Sequence, residues 1–454
     1  MLLGANQQQK QNLPSIYNVY SQTRKYLILY IISGLGFLYT FDETVYLPSM
    51  STIVNEFQST ETLGLLTVSI YLFTASLSGL LWGVLSDFYG RRPVIIYGLS
   101  IFTFSVIMCY FSTNIYMFII CRAIQGGLIS ITIVVVQGII SDLYEPRVRG
   151  VAYGIYYTAY FTGNALGPVI GGQVSAYFGW RSTLLVAASI SFVLLVSYVI
   201  FVPESQQYAV MCAYEKEHGG SLLESDEICK PTFVNPCANL LYLTDSTVLP
   251  YSVMLVVGYV SMNWTFLFLP LKLSQPPYSY RENTVGILLT MSGMGLIAGS
   301  LCGGILSDLA GNKRFLISAI PEARIIPGLI FSILTVVGLI LYGWTLHYYW
   351  SAALLILGSG LSCFGQTAAR PGVMSYFTIK YQQHAGGIIS VNSCLQQMMT
   401  SVALPLTDYI INFMRQGPLF TILATCNLLS TIVVAVIVWR KIHLVVNLEK
   451  KTLL

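Results

Sequence analysis

Charge is what this sequence has least of. Only 9% of its 454 residues are Asp, Glu, Lys or Arg, against about 25% in soluble globular domains. Twenty-three basic and 19 acidic side chains cannot give a chain of this length a water-facing shell, which excludes a soluble fold. The net charge of +4 is spread over short segments and forms no basic face, so nucleic acid is excluded as a partner. Cys109, Cys121, Cys212, Cys229, Cys237, Cys302, Cys363, Cys394 and Cys426 include no CxxC pair, so zinc and dithiol chemistry lack their spacing and the cysteines read as small apolar packing residues. His218, His347, His384 and His443 stand apart; with no metal-ligand cluster and no nucleophile beside a base, an enzyme is not expected and no metal or cofactor is called for. A GxxxxGK[S/T] phosphate loop is also missing, so ATP is not used directly by this chain. The polar opening, with Gln7-Gln8-Gln9-Lys10-Gln11, lacks the short apolar stretch of a cleavable signal, and the first hydrophobic segment is expected to stay in the protein.

What the chain has instead is long apolar runs. About 20 helical residues cross a bilayer core, and twelve runs of that order occur: residues 26–47, 62–86, 93–111, 115–140, 151–177 and 183–202, then 249–271, 284–307, 325–344, 350–377, 385–413 and 419–439. Between the sets lies a segment rich in charge, including Glu204, Glu215, Lys216, Glu217, Glu224, Asp226, Glu227 and Lys230. The reading is an all-α integral membrane protein of two six-helix bundles, 26–202 and 249–439, with a tail at 1–25, a central loop at 203–248 and a tail at 440–454. Placing the N-terminus in the cytoplasm leaves seventeen of the 23 Lys and Arg inside, four outside (Arg181, Lys272, Arg281, Arg415) and Arg122 and Arg370 within spans. Basic residues are retained on the cytoplasmic side, so both termini are predicted there.

The two halves repeat. Gly83-Val-Leu-Ser-Asp87-Phe-Tyr-Gly90-Arg91-Arg92 follows the second span, and Gly304-Ile-Leu-Ser-Asp308-Leu-Ala-Gly311-Asn312-Lys313-Arg314 follows the eighth, offset by 221 positions (83 to 304, 87 to 308). Matching segments in two halves point to duplicated bundles around a central site. Span four carries Arg122-Ala-Ile-Gln125-Gly126-Gly127, and span five carries Gly163-Asn-Ala-Leu-Gly167-Pro168-Val-Ile-Gly171-Gly172. An Arg inside a span costs roughly 2.5–3.5 kcal/mol on insertion scales, so Arg122 should face a partner or a polar cavity. Small residues four apart let helices approach closely, and Pro168 introduces a bend. Gly295, Gly299 and Gly303 in span eight have the same spacing and suit close packing between spans five and eight.

These motifs, in this order, resemble the major facilitator superfamily, whose loop after span two reads G-x-x-x-D-R/K-x-G-R-R/K; Phe88 stands here in place of the basic residue. The R-x-x-Q-G and G-x-x-x-G-P-x-x-G-G patterns are similar to those of its proton antiporters. Tyr46-Leu47-Pro48-Ser49-Met50, Phe178-Gly179-Trp180-Arg181, Val202-Pro203-Glu204-Ser205 and Pro321-Glu322-Ala-Arg324 narrow the resemblance to fungal twelve-span drug:proton antiporters, nearest the quinidine-resistance and amino-acid or dityrosine exporters. The resemblance covers most of residues 26–440. It implies a plasma-membrane exporter working as a monomer, driven by the proton gradient, with protons and a small amphipathic or cationic solute (a drug, polyamine or amino-acid-like compound) as its partners. It also implies that Gly83, Asp87, Gly90, Arg91 and Arg92, with Asp142, Arg147 and Arg149 and the second-half Asp308, Lys313 and Arg314, gate the cytoplasmic face. A proton-independent facilitator or importer, and a non-transporting nutrient sensor, are the alternatives.

Coupling needs an ionisable group inside a span, and Asp42, Glu43 and Asp408 are the candidates, with Arg122 to tune them. Successive helical residues point about 100° apart, so at most one of Asp42 and Glu43 faces the cavity; Asp42 is favoured as the proton carrier. Aromatic and polar span residues, among them Gln125, Tyr156, Tyr160, Asn263, Gln366, Arg370, Asn392 and Gln396, are candidates for the solute cavity.

Overall fold

The computed structural model describes residues 20–144, 149–206, 208–210, 212, 245, 247–311, 321–381 and 385–452. Among these the chain is a series of helices: α1 (Gln22–Thr44), α2 (Met50–Glu56), α3 (Glu61–Tyr89), α4 (Arg91–Tyr110), α5 (Ile115–Ile129), α6 (Ile131–Leu143), α7 (Arg149–Phe178) and α8 (Arg181–Phe201) in the first half. The second half holds α9 (Leu249–Ser274), α10 (Glu282–Ala310), α11 (Ile326–His347), α12 (Ala352–Lys380), α13 (Ala385–Ala403), α14 (Thr407–Met414) and α15 (Gln416–Thr452). Local chemistry sets several starts. The side chains of Ser21, Thr60 and Asn114 accept the backbone N–H groups of Arg24, Leu63 and Met117 at the heads of α1, α3 and α5, filling the donors a helix start leaves open. Gly90, at φ +100°, turns the chain between α3 and α4, a conformation that favours glycine.

Ten helical segments are long and apolar enough to cross a membrane, among them Gln22–Glu56 and Ile115–Leu143, which join short helices into single spans. The two remaining predicted runs fall on α7 and on α13 with α14. Both carry Asn, Gln, Ser or Thr on turns that face other helices, so their apolar signal is weaker. Large apolar side chains on the outer faces, such as Phe104 (63% exposed), Val193 (61%) and Ile330 (61%), meet the hydrocarbon, where only helices leave no open backbone groups. Residues 440–452 of the segment expected as a C-terminal tail continue α15 as helix to Thr452.

The glycines show how closely the helices seat. On α7, a Cβ at Gly163, Gly167 or Gly171 would lie within 2.4 Å of α1 or the residue just after it, at Phe37 O, Thr44 Oγ1 and Val45 O. This stripe therefore binds α7 to α1. The expectation for span eight needs correction: Gly295, Gly299 and Gly303 pack against Gly360, Phe364 and Ala368 of α12, not against α7. The face of α10 that meets α7 is marked by Gly286 and Gly293, against Pro168 O and Ala165. One helix carries two small-residue faces, and spacing alone does not say which partner each one meets.

Candidate functional site

The helices place one end of every span with the chain termini; the other is called here the far end. Near mid-depth, a small cavity lies between the halves. Glu43 of α1 and Tyr160, Phe161 and Asn164 of α7 form the wall of the first half; Tyr259, Met262 and Asn263 of α9, Leu296 of α10 and Gln366, Thr367 and Arg370 of α12 form the wall of the second. Asn263 donates to Tyr259 O (3.0 Å) and Gln366 to Leu255 O (3.1 Å), which fixes both amides along the wall. A second small space lies between α3, α6 and α13, with Ser76, Gln137, Ser390, Ser393 and Gln397 on its surface.

Beside the first cavity, Arg122 is wholly buried. Its Nη1 donates to Asp42 Oδ2 at 2.9 Å and to Gln125 Oε1 at 2.8 Å, and Nη2 approaches Asp42 O at 3.4 Å. The guanidinium lies over the rings of Tyr71 (4.3 Å) and Tyr46 (4.6 Å), contacts worth about 2 kcal/mol when desolvated. Removing a guanidinium and a carboxylate from water is costly, and only mutual pairing with further hydrogen bonds offsets it. Asp42 Oδ1 nonetheless remains buried without a hydrogen-bond partner.

The expected site residues divide accordingly. Glu43, not Asp42, is the acid on the cavity wall, while Asp42 and Gln125 point into the packed interior around Arg122. Tyr160, Asn263, Gln366 and Arg370 line the cavity. Tyr156 differs from the expectation: it is fully buried, and its hydroxyl donates to Thr132 O. Asn392 and Gln396 bond to each other (3.1 Å) within α13 and lie outside this wall. Asp408 belongs to α14, its side chain outside the described residues, as are Arg147, Lys313, Arg314 and the side chain of Arg149.

At the terminal end, Arg91 pairs with Asp87 (2.6 Å) and Asp142 (3.2 Å) and donates to Ser86 Oγ. A residue noted in the sequence only for its motif completes this knot. The Glu204 carboxylate accepts the backbone N–H groups of Arg91 (2.9 Å) and Arg92 (3.1 Å) at the head of α4, where a helix presents partial positive charge. A Cβ at Gly90 would meet Glu204 Oε2 at 2.6 Å. In the second half, Asp308 pairs with Arg324 (3.2 Å), and Glu322 with Lys441 (2.9 Å). Each of these pairs stays within one half.

Polar contacts between the halves occur toward the far end. Glu282, the first residue of α10, accepts hydrogen bonds from Ser49, Thr52 and Ser175. Glu61 pairs with Lys272 (3.7 Å) and accepts from Gln275. Thr290 donates to Ala165 O at 3.1 Å. Sequence reading passed over Glu282, because a lone acid at a helix start resembles any N-terminal charge.

The fold recurs in solved structures. A peptide transporter POT in complex with sulfate superposes with a TM-score of 0.66, at 14% identity, over 91% of this chain and 94% of that one, a likeness of fold alone. By sequence, the dityrosine transporter 1 of Saccharomyces cerevisiae is 22% identical over 92% of this chain and 80% of its own length. The MFS antiporter QDR3 of Candida albicans is 35% identical over a shorter stretch, 41% of this chain and 27% of that protein. These likenesses bear out the resemblance to fungal antiporters and a transporter rather than an enzyme. With the family pattern matched across residues 32–404, which takes in both halves and the cavity between them, the chain belongs to the Major Facilitator Superfamily of membrane transporters.

Proposed function

We propose that the chain is a proton-coupled antiporter that exports small amphipathic or cationic solutes, such as drugs, polyamines or amino-acid-like compounds, by alternating access across the plasma membrane, with both termini cytoplasmic. The observation that carries this reading is the buried Asp42–Arg122 pair next to the cavity acid Glu43. A proton on Asp42 would cancel one member of a pair whose burial depends on the other. Arg122 would then be held by Gln125, the Asp42 carbonyl oxygen and the two tyrosine rings, so proton arrival changes how firmly α1 and α5 are tied. Glu43 gives the same helix an acid facing the solute. In this orientation the Glu282 cluster latches the outer end. The Candida albicans relative QDR3 is an MFS antiporter, in agreement with this reading. One proton crossing 100 mV releases about 2.3 kcal/mol, enough for a solute gradient of tens-fold.

The test uses purified protein in liposomes with an internal pH dye, an imposed pH gradient, and quinidine, polyamines, aromatic amino acids and weak organic acids as solutes. Antiport predicts protein-dependent collapse of the gradient by a transported solute, and Asp42→Asn removes that collapse while solute binding persists. Solute movement without proton flux would establish a facilitator instead. Binding without any movement would point to a sensor.

A further inference from the structure

The cysteine spacing argues against dithiol chemistry, yet the fold brings two cysteines together where α4 packs on α5. Cys109 is the last residue but one of α4, and Cys121 lies in the second turn of α5, so the pair sits toward the far end. Both are free thiols, within hydrogen-bonding reach of each other. Contacts one turn along each helix fix this register: Ser105 Oγ donates to Cys121 O at 3.3 Å, and Gln125 Nε2 donates to Ser105 O at 3.3 Å. Cys109 has no solvent exposure and Cys121 has 8%. Cys121 precedes Arg122 in the chain, and Arg122 is also an electrostatic neighbour of Cys109.

Thiols are weak hydrogen-bonding groups, so little is gained by burying two of them face to face. A pair of sulfurs in reach of each other can instead be joined covalently, and such bonds persist on the oxidising, non-cytoplasmic side of a membrane. We propose that Cys109 and Cys121 are a covalent modification site: a reversible disulfide, formed by peroxides, that ties the outer end of α4 to the turn of α5 carrying Arg122. The Cys121 sulfur, the more accessible of the two, attacks a peroxide oxygen as thiolate; the O–O bond breaks, hydroxide leaves and Cys121 becomes a sulfenic acid. The Cys109 sulfur then attacks the Cys121 sulfur, the S–S bond forms, and the sulfenic oxygen departs as water with the Cys109 proton. In sum, two thiols and one hydrogen peroxide give one disulfide and two waters. Once bridged, α5 cannot turn or slide against α4 at the level of Arg122, and the Asp42–Arg122 pair is held as described.

This inference takes from the transport reading only that the far end faces the exterior, and its test needs no transport. Full-length protein in lipid nanodiscs is treated with hydrogen peroxide, unfolded, reacted with N-ethylmaleimide and cut with trypsin. No Lys or Arg lies between Arg92 and Arg122, so a single peptide, residues 92–122, carries Cys109 and Cys121 and no other cysteine. With free thiols it takes up two maleimides. With the bridge it takes up none and is two hydrogens lighter than the unlabelled thiol form, and a phosphine reductant restores both sites. The bridge is expected in most molecules, together with a rise in the thermal unfolding midpoint that the reductant reverses. Cys109→Ala should abolish the rise and leave Cys121 to add oxygen instead; Cys121→Ala supplies the same comparison if the first variant does not fold. The proposal is overturned if the peptide keeps two maleimides under peroxide that fully oxidises added glutathione. Oxygen addition without loss of hydrogen in the unaltered protein, a bridge from either residue to another cysteine, or a midpoint that the bridge leaves unmoved would overturn it as well. Absence of antiport in liposomes with the bridge formed would reject the transport reading and leave this site; antiport in protein whose two thiols resist oxidation would do the reverse.

Discussion

Asp42 and Arg122 stand 80 positions apart in the chain and 2.9 Å apart in the fold, both without solvent exposure. Removing one partner of such a pair leaves the other charge buried alone, at a cost of about 3–5 kcal/mol. Arg122→Ala should therefore lower stability by that order, read as the thermal unfolding midpoint of the purified protein. Adding Asp42→Asn to Arg122→Ala should restore much of the loss. If the two substitutions simply add, the pair is not coupled and its role in proton exchange fails with it.

Glu282 should hold the far end shut. Hydrogen bonds to a charged group contribute about 1.5–3 kcal/mol each, and Glu282 accepts from Ser49, Thr52 and Ser175 of the opposite half. Glu282→Ala is expected to shift the equilibrium toward far-end opening by roughly tenfold or more, a change of about 1.4 kcal/mol in free energy. Labelling by a membrane-impermeant maleimide of a cysteine placed at Val285, fully buried one turn below Glu282, reports this directly. An unchanged labelling rate would show that α7 and α10 keep that end closed by backbone packing alone.

Gly171 tests the seating of α7 on α1. A Cβ there would sit 1.6 Å from Val45 O, whereas one at Gly154 meets nothing within 4 Å. Gly171→Ala should destabilise by at least the roughly 1–3 kcal/mol typical of overpacking, while Gly154→Ala should be neutral or slightly stabilising, since alanine is the better helix former by about 1 kcal/mol. Comparable unfolding midpoints for the two variants would contradict the packing described.

Glu204 should matter at the head of α4 more than its place beside a long loop suggests. Glu204→Ala removes the acceptor of the Arg91 and Arg92 amides, at a cost of about 1–2 kcal/mol by analogy with lost helix caps. Faster hydrogen exchange at those two amides, by about an order of magnitude, is the expected result. Unchanged protection would mean that Asp87 and Asp142 alone fix this turn.

Much of this architecture was legible before any coordinates. Apolar runs gave the helices, the repeated Asp87 and Asp308 segments gave two halves, and the insertion cost of Arg122 demanded a partner that proved to be Asp42. Helical geometry could say that only one of Asp42 and Glu43 faces the cavity, but the rotation of α1 about its axis is set by its packing on α7 and α8, and this chose Glu43. The partner of the Gly295, Gly299 and Gly303 stripe was misjudged because a small-residue face permits close approach without naming what approaches. Glu204 and Glu282 were missed as structural acceptors for a related reason: both act on groups more than 100 positions away, and no periodicity encodes such a contact.

The glycine stripes also divide the molecule mechanically. Because α7 is seated on α1 at backbone distance, and α10 on α12 likewise, neither pair can slide internally without a main-chain collision. The crossing of α7 and α10, where Ala165, Pro168 and Gly172 meet Gly293, Gly286 and Glu282, joins the two pairs. Each pair is thus a stiff lever arm, and this crossing is where the two arms bear on each other. The acid Glu43 rides on one arm and Arg370 on the other, so the stroke of the levers is also a change in the separation of the two charges.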